Sequence, residues 1–307
     1  MSEPAPETIV VNRSHGLPYS KGVMAQSLSA TGLGPERAYE LARLIERRLA
    51  ERGESEIGVD GLRALVQEVL AEAEDEATVR RFREWQRLDR LEAPLIVLIG
   101  GTTGVGKSTL ATMLAHRLGI TRVIATDVIR QVLRAFFSQD FMPAVHYSAF
   151  EAAATVEGEG PGDELPAFQE QAESVGTAVA AIIERACDEG TPLVVEGVHL
   201  VPGGLDPELR ARCVAVEALL TVEDPDLHRG HFTLRGGSRP ADRYLDSFEA
   251  IRRLQDFLST RARKEKIAVI ENANADQALG RLMGLVLDTV GQLEDQPSRV
   301  PRPRDPT

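Results

Sequence analysis

The sequence is short of cysteine, of long apolar runs and of positive charge. Its two cysteines, Cys187 and Cys213, have no paired spacing and no histidines in a zinc pattern beside them. That excludes a disulfide framework or a zinc module and predicts two buried thiols in a reducing cytosol. No apolar stretch approaches the ~20 residues that span a bilayer. The N-terminal Met-Ser-Glu-Pro-Ala-Pro-Glu is acidic and lacks the apolar segment of a signal peptide, so a cytoplasmic location is expected, with no membrane partner. Lysine and arginine number 35 against 47 aspartates and glutamates, a formal charge of -12. Such a balance argues against a general nucleic-acid binder, as does the want of a groove in which basic and aromatic residues alternate. An anionic ligand must then be met by local basic clusters.

What the chain does have is a phosphate-binding loop. Leu95 to Gly100 is an apolar run of strand length, and Gly101-Thr102-Thr103-Gly104-Val105-Gly106-Lys107-Ser108-Thr109 follows it into a helical pattern. The spacing Gly-x4-Gly-Lys-Ser gives each position a task. Gly101, Gly104 and Gly106 let the backbone turn tightly and bring N–H groups to phosphate oxygens. Lys107 supplies a point charge for the β and γ phosphates, Ser108 a hydroxyl for Mg²⁺, and the helix beginning near Lys107 the positive end of its dipole. The motif in its strand-loop-helix context predicts a nucleoside triphosphate binder.

At 307 residues the chain is long enough for two domains. Residues 1–8 are expected to be disordered. Residues 9–92 open with a β-like run, Ile9 to Val11, and continue as helices. Glu36 to Glu51 carries an apolar stripe behind Pro35, Leu62 to Leu70 a second behind Asp60 as cap, and Thr78 to Leu91 a charged third. Residues 93–293 alternate strand and helix, which implies a parallel sheet covered on both faces. The expected strands are Leu95–Gly100, Arg122–Thr126, Leu193–Glu196, Val214–Val222 and Ile267–Ile270. Helices are expected to start near Lys107, Asp127, Pro166, Asp246 and Asp276. A mobile loop is expected between Ala152 and Pro166, and a disordered tail over residues 294–307.

Phosphoryl transfer asks a protein for positioning, positive charge and a carboxylate. Asp127, at the end of a strand, faces the crevice where open α/β sheets bind ligands, unless it merely caps the next helix. Arg130 and Arg134 share a helix face and could grip an anionic substrate, or form a solvated surface. Glu196 ends the apolar strand Leu193–Val195, where a carboxylate serves magnesium or its water. His199 either touches substrate or is structural. Arg229, Arg235, Arg239 and Arg243 place four arginines in fifteen residues of an acidic chain. The stretch from His228-Arg229-Gly230-His231-Phe232 to Arg243 reads as a mobile lid that closes on the transferring phosphate, with a surface charge run as the alternative.

Several further segments occur in order: Pro18-Tyr19-Ser20-Lys21-Gly22, Thr126-Asp127-Val128-Ile129-Arg130, Val195-Glu196-Gly197-Val198-His199, His228-Arg229-Gly230-His231-Phe232, Arg243-Tyr244-Leu245 and Ile270-Glu271-Asn272. With the phosphate loop they resemble the 2-phosphoglycerate kinase family, from about Ile9 to Val290. The resemblance implies a P-loop kinase-like α/β domain, a parallel sheet flanked by helices, preceded by a small, mainly helical ATP-cone-like domain. It also implies transfer of the γ-phosphoryl group of ATP, with Mg²⁺, to 2-phosphoglycerate. The basic turn of the cone is altered here to Asn12-Arg13-Ser14-His15-Gly16. In this reading Lys107, Asp127, Glu196, Arg229 and Arg235 are catalytic, and Arg130, Arg134, His199, Arg239 and Arg243 hold the small anionic substrate. Another phosphorylated acceptor such as an inositol phosphate, or a nucleotide-sensing regulator, are the alternatives. A homo-oligomer is left open, as is the choice of Asp127 or Glu196 as base.

Overall fold

The computed structural model describes residues 8–12, 15–53, 55–88, 91–154, 165–234 and 241–295. It divides into two compact units, Met1–Arg90 and Leu91–Thr307.

In the first unit β1 (Ile9–Asn12) pairs antiparallel with β2 (His15–Pro18) and parallel with the three-residue β3 (Glu56–Gly58). The helices are α1 (Lys21–Ser29), α2 (Pro35–Arg52), α3 (Val59–Ala73) and α4 (Glu76–Leu88). The α2 stripe buries Leu41, Ile45 and Leu49 against Leu28, Leu65, Val69 and Phe82. Pro35 opens α2 and Gly53, at φ 68°, closes it. Asp60 is not the cap of α3. Pairing of Ile57 with Val10 carries the extended backbone to Gly58, and the helix starts at Val59. Residues 1–7 and 13–14, the latter within the altered basic turn, lie outside the described residues.

The second unit is built on a five-stranded parallel sheet. Its strands are β4 (Leu95–Gly100), β5 (Val123–Ala125), β6 (Leu193–Glu196), β7 (Val214–Thr221) and β8 (Ala268–Glu271), in the order β5-β6-β4-β7-β8. After β4 comes α5 (Lys107–Leu118), and after β5 come α6 (Thr126–Phe136), a 3-10 turn over Pro143–His146, α7 (Ala149–Ala154) and α8 (Pro166–Asp188). The short α9 (Pro207–Arg210) precedes β7. Three helices, α10 (Pro225–Leu234), α11 (Ala241–Asp246) and α12 (Phe248–Lys264), lead to β8, and α13 (Ala275–Asp295) ends the fold.

All six residues of β4 are buried, as its unbroken apolar run requires of a central strand. Ile96 and Leu98 pack against Val175, Val179 and Ile183 of α8. Leu219 of β7 meets Phe168 and α12 residues Leu254 and Leu258. On the opposite face α13 packs against α5 and β7. The strand order reverses direction beside β4, so the phosphate loop leaves the sheet at the switch point where such folds bind ligands. Cys213 is buried and Cys187 half-buried, both as free thiols. Among the described residues no helix is long and apolar enough to cross a membrane. The segment 155–164, most of the loop expected after Ala152, and the tail 296–307 lie outside the described residues, while α13 runs two residues past the expected boundary at 293.

Candidate active site

The loop between Gly100 and Lys107 is defined by what its carbonyl groups touch. Lys107 Nζ donates to Thr102 O at 2.9 Å and His228 Nε2 to Thr103 O at 2.8 Å. His231 Nδ1 donates to Gly104 O, and Asn272 Nδ2 to Val105 O, both at 2.9 Å. A carbonyl and the N–H of the next residue point opposite ways across a planar peptide. The carbonyls of 103 to 105, held from outside by His228, His231 and Asn272, therefore turn the N–H groups of 104 to 106 inward, into a cradle for anionic oxygens. Three glycines are obligatory here, the first being Gly101 (φ 141°), where a Cβ would lie 2.6 Å from Leu220 O. A Cβ on Gly104 (φ 90°) would lie 2.5 Å from the Phe232 ring, and one on Gly106 (φ 84°) 2.4 Å from the Asn272 amide.

Ser108, in the first turn of α5, donates its hydroxyl to Glu196 Oε1 at 2.8 Å. Glu196 is the last residue of β6, buried and paired across the sheet with Ile99 of β4, so strand register sets this contact. Its neighbour Gly197 (φ 154°) is pressed on Thr126, whose Oγ1 would sit 1.7 Å from an added Cβ. Gly197→Ala is therefore expected to displace β6 from the start of α6, costing several kcal/mol of stability and most activity. A thermal melt with an activity assay measures both, and a variant as stable and active as the parent contradicts the packing described.

Thr126 is buried and hydrogen-bonded to His199 Nδ1 at 2.8 Å, while His199 Nε2 lies 3.0 Å from Gln171 Oε1. Gln171 spends its amide N–H groups on Ala144 O (2.5 Å) and Tyr147 O (3.0 Å), which leaves its oxygen to accept. The tautomer follows: Nε2 carries the proton, and Nδ1 accepts from the Thr126 hydroxyl. Burial, helped by the charges of Arg130 and Lys107 and opposed by Asp127, pushes the imidazole down to about 4. The sequence left His199 as either a substrate contact or a structural residue. With only 3% of its surface exposed and both ring nitrogens engaged, it is the latter, a strut between β6, α6 and α8.

His228 is also buried and held at about 4, mainly by burial and against its bond to Thr103. A histidine with a depressed pKa is neutral in the fold, while the unfolded chain takes up protons below the ordinary 6.5. Both histidines thus contribute stability that is complete above pH 6.5 and lost as pH falls towards 4. Unfolding free energy is expected to drop by a few kcal/mol across that window, and His199→Gln to flatten the drop. Denaturant titrations at steps between pH 7 and 4 read it, and a flat profile in the parent counts against buried neutral histidines. Glu151 works in a lower window. Burial opposes its ionisation, but bonds from Arg243 and the Ser148 N–H hold the carboxyl down to about 2.

The remaining predicted residues occupy different surroundings. Asp127 stands in the first turn of α6, not at its cap, with 66% of its side chain exposed and Arg130 Nε 3.5 Å away. Arg130 is buried and gives Nη1 to Val145 O (3.0 Å) and Tyr147 O (2.9 Å), so it anchors the 3-10 turn. Arg134 is exposed on the same helix. Arg229 pairs with Asp226 at 3.0 Å and stacks over Phe248 at 4.3 Å. Arg243 binds Glu151 and lies 5.6 Å over Phe150. Arg235 and Arg239 lie outside the described residues. The expected lid is corrected in its first part: His228 to Phe232 belong to α10, which is fixed on the phosphate loop. Asp224 caps that helix through the N–H of Asp226 at 2.8 Å, ahead of Pro225. That Asp-Pro start, and histidines three apart on one face, were the sequence signals for it.

Among the described residues no cluster of three or more His, Cys, Asp or Glu side chains forms a metal site. The Ser108 hydroxyl and the Glu196 carboxylate are hard oxygens, and this pair suits a magnesium ion that keeps most of its waters and arrives on phosphate.

The sheet, the loop and the carboxylates at the strand ends define a P-loop kinase. An ATP cone domain model matches residues 9–91. The 2-phosphoglycerate kinase of Methanopyrus kandleri is 37% identical over 282 residues, covering 90% of this chain and 86% of that protein. Those of Methanothermobacter thermautotrophicus (37% identical, 86% of this chain and 88% of that one) and Pyrococcus horikoshii (35% identical, 87% and 89%) align nearly as fully. The chain belongs to the 2-phosphoglycerate kinase family. Among solved structures, shikimate kinase from Acinetobacter baumannii superposes with a TM-score of 0.39 at 16% identity, covering 66% of this chain and 97% of that one. That likeness is too distant to bear on function.

Proposed function

We propose that this protein transfers the γ-phosphoryl group of ATP to the hydroxyl of 2-phosphoglycerate, giving 2,3-bisphosphoglycerate and ADP. The observation that carries the reading is the convergence of a phosphate loop, the bond from the exposed Ser108 to the buried Glu196 and the exposed carboxylate of Asp127 at the carboxyl end of the sheet. The N–H cradle and Lys107 would hold the β and γ phosphates. Ser108 and Glu196 would hold magnesium, which when bound offsets charge on the phosphates. Glu196 is buried and engaged by Ser108, whereas Asp127 is open to an acceptor, so Asp127 takes the role of base. As the acceptor oxygen bonds to phosphorus, its proton passes to the Asp127 carboxylate, and the bond from the γ phosphorus to its bridging oxygen breaks to release ADP. The exposed Arg134 would meet the acceptor's phosphate or carboxylate, and Arg243 could leave Glu151 to join it. Arg130 can contribute its charge from beneath while its Nη1 anchors the turn.

ADP release measured with 2-phosphoglycerate, 3-phosphoglycerate, glycerate and inositol phosphates tests the acceptor. Stimulation by 2-phosphoglycerate alone is expected. Stimulation only by another compound keeps the kinase and discards this substrate.

A further inference from the structure

Three donors to the phosphate loop come from side chains far along the chain: His228 and His231 on α10 and Asn272 after β8. We propose that these are positioning residues, which hold the loop in its phosphate-receiving form before any nucleotide arrives. The inference rests on the loop being the nucleotide site and is independent of which acceptor is used.

Each donor is itself held. Asn272 gives its backbone N–H to Thr221 O at 2.8 Å, which ties its amide to the sheet. The His228 ring lies 5.4 Å from Phe232 and 5.5 Å from Phe248, between two aromatic walls. Phe232 in turn fills the space beside Gly104, which only a glycine leaves open. The segment from which α10 springs is fastened by α12. Arg252 donates to Val222 O (2.6 Å) and Glu223 O (2.9 Å), and Gln255 bonds both the N–H and the C=O of Val222.

A carbonyl accepts only, so His228 Nε2 and His231 Nδ1 carry hydrogens. His228 Nδ1 is then a bare acceptor, buried without a partner, and the ring is neutral. His228 therefore contributes direction without charge. Without such donors, Thr103 O and Gly104 O can rotate inward to find other partners. That rotation would turn the N–H groups of Gly104 and Val105 out of the cradle, and the nucleotide would have to reverse it on binding. The consequence falls on nucleotide affinity and leaves the acceptor alone.

The test is calorimetric titration of MgATP into the full chain without acceptor, beside steady-state kinetics and a thermal melt. His228→Ala, His231→Ala and Asn272→Ala are each expected to weaken MgATP binding about tenfold, the size of stripping a buried carbonyl of its donor. The KM for the acceptor should stay within about twofold of the parent. His228→Gln and His231→Asn keep a donor near the original nitrogen, and each should recover most of the lost affinity. His231 is only half-buried, so its variants carry the test if His228→Ala does not fold. Alanine variants that bind MgATP like the parent overturn the proposal, as do amide variants no better than alanine or an equal rise in the acceptor KM. A parent that binds no MgATP removes the nucleotide site itself, a result distinct from all of these.

Discussion

Lys107→Ala is expected to lower kcat by at least about a thousandfold while the protein stays folded. A pre-placed cation aimed at developing phosphate charge contributes on the order of 10² to 10³ by itself, and Lys107 also closes the loop through Thr102 O at 2.9 Å. The fold does not depend on it. Lys107 is half-exposed at the start of α5, and the apolar residues that anchor that helix, Leu110, Ala111 and Leu114, remain buried. Lys107→Arg is not expected to restore turnover, because a planar fork cannot occupy the position of a compact ammonium. Initial rates with a thermal melt decide the matter, and near-parental turnover in Lys107→Ala would remove the loop as the reaction site.

Asp127→Asn is expected to lower kcat by about 10² to 10⁴ with little change in the KM for ATP, the range for removing a general base. Structurally the variant loses the 3.5 Å ion pair of the exposed Asp127 with the buried Arg130 Nε, while Arg130 Nη1 keeps its bonds to Val145 O and Tyr147 O. Glu196→Gln should behave differently. Because Glu196 meets Ser108, part of its lost activity should return at raised Mg²⁺, whereas Asp127→Asn should not respond. Recovery of Asp127→Asn by magnesium would exchange the two roles.

The sheet was legible because its strands are short apolar runs with punctuated ends. Leu95–Gly100 and Leu193–Glu196 form as predicted, and the boundaries of the others differ by no more than one residue. β3 was not legible, since its three residues have no alternation to read and owe their conformation to pairing with β1. In the site, Ser108 and Glu196 could be placed from motif and strand end. His199 and Arg130 could not. Their surroundings are set by Gln171 and by carbonyls at 144, 145 and 147, which only tertiary packing brings near. The α10 histidines were read as lid because arginines dominate their neighbourhood, while their true contacts lie some 125 residues earlier in the chain.

The most direct test of the central claim is phosphorus NMR of the purified protein with MgATP and 2-phosphoglycerate. The account predicts that the 2-phosphoglycerate resonance declines as two bisphosphoglycerate signals and those of ADP rise together. Loss of ATP to inorganic phosphate with 2-phosphoglycerate untouched, or no change at all, would contradict it.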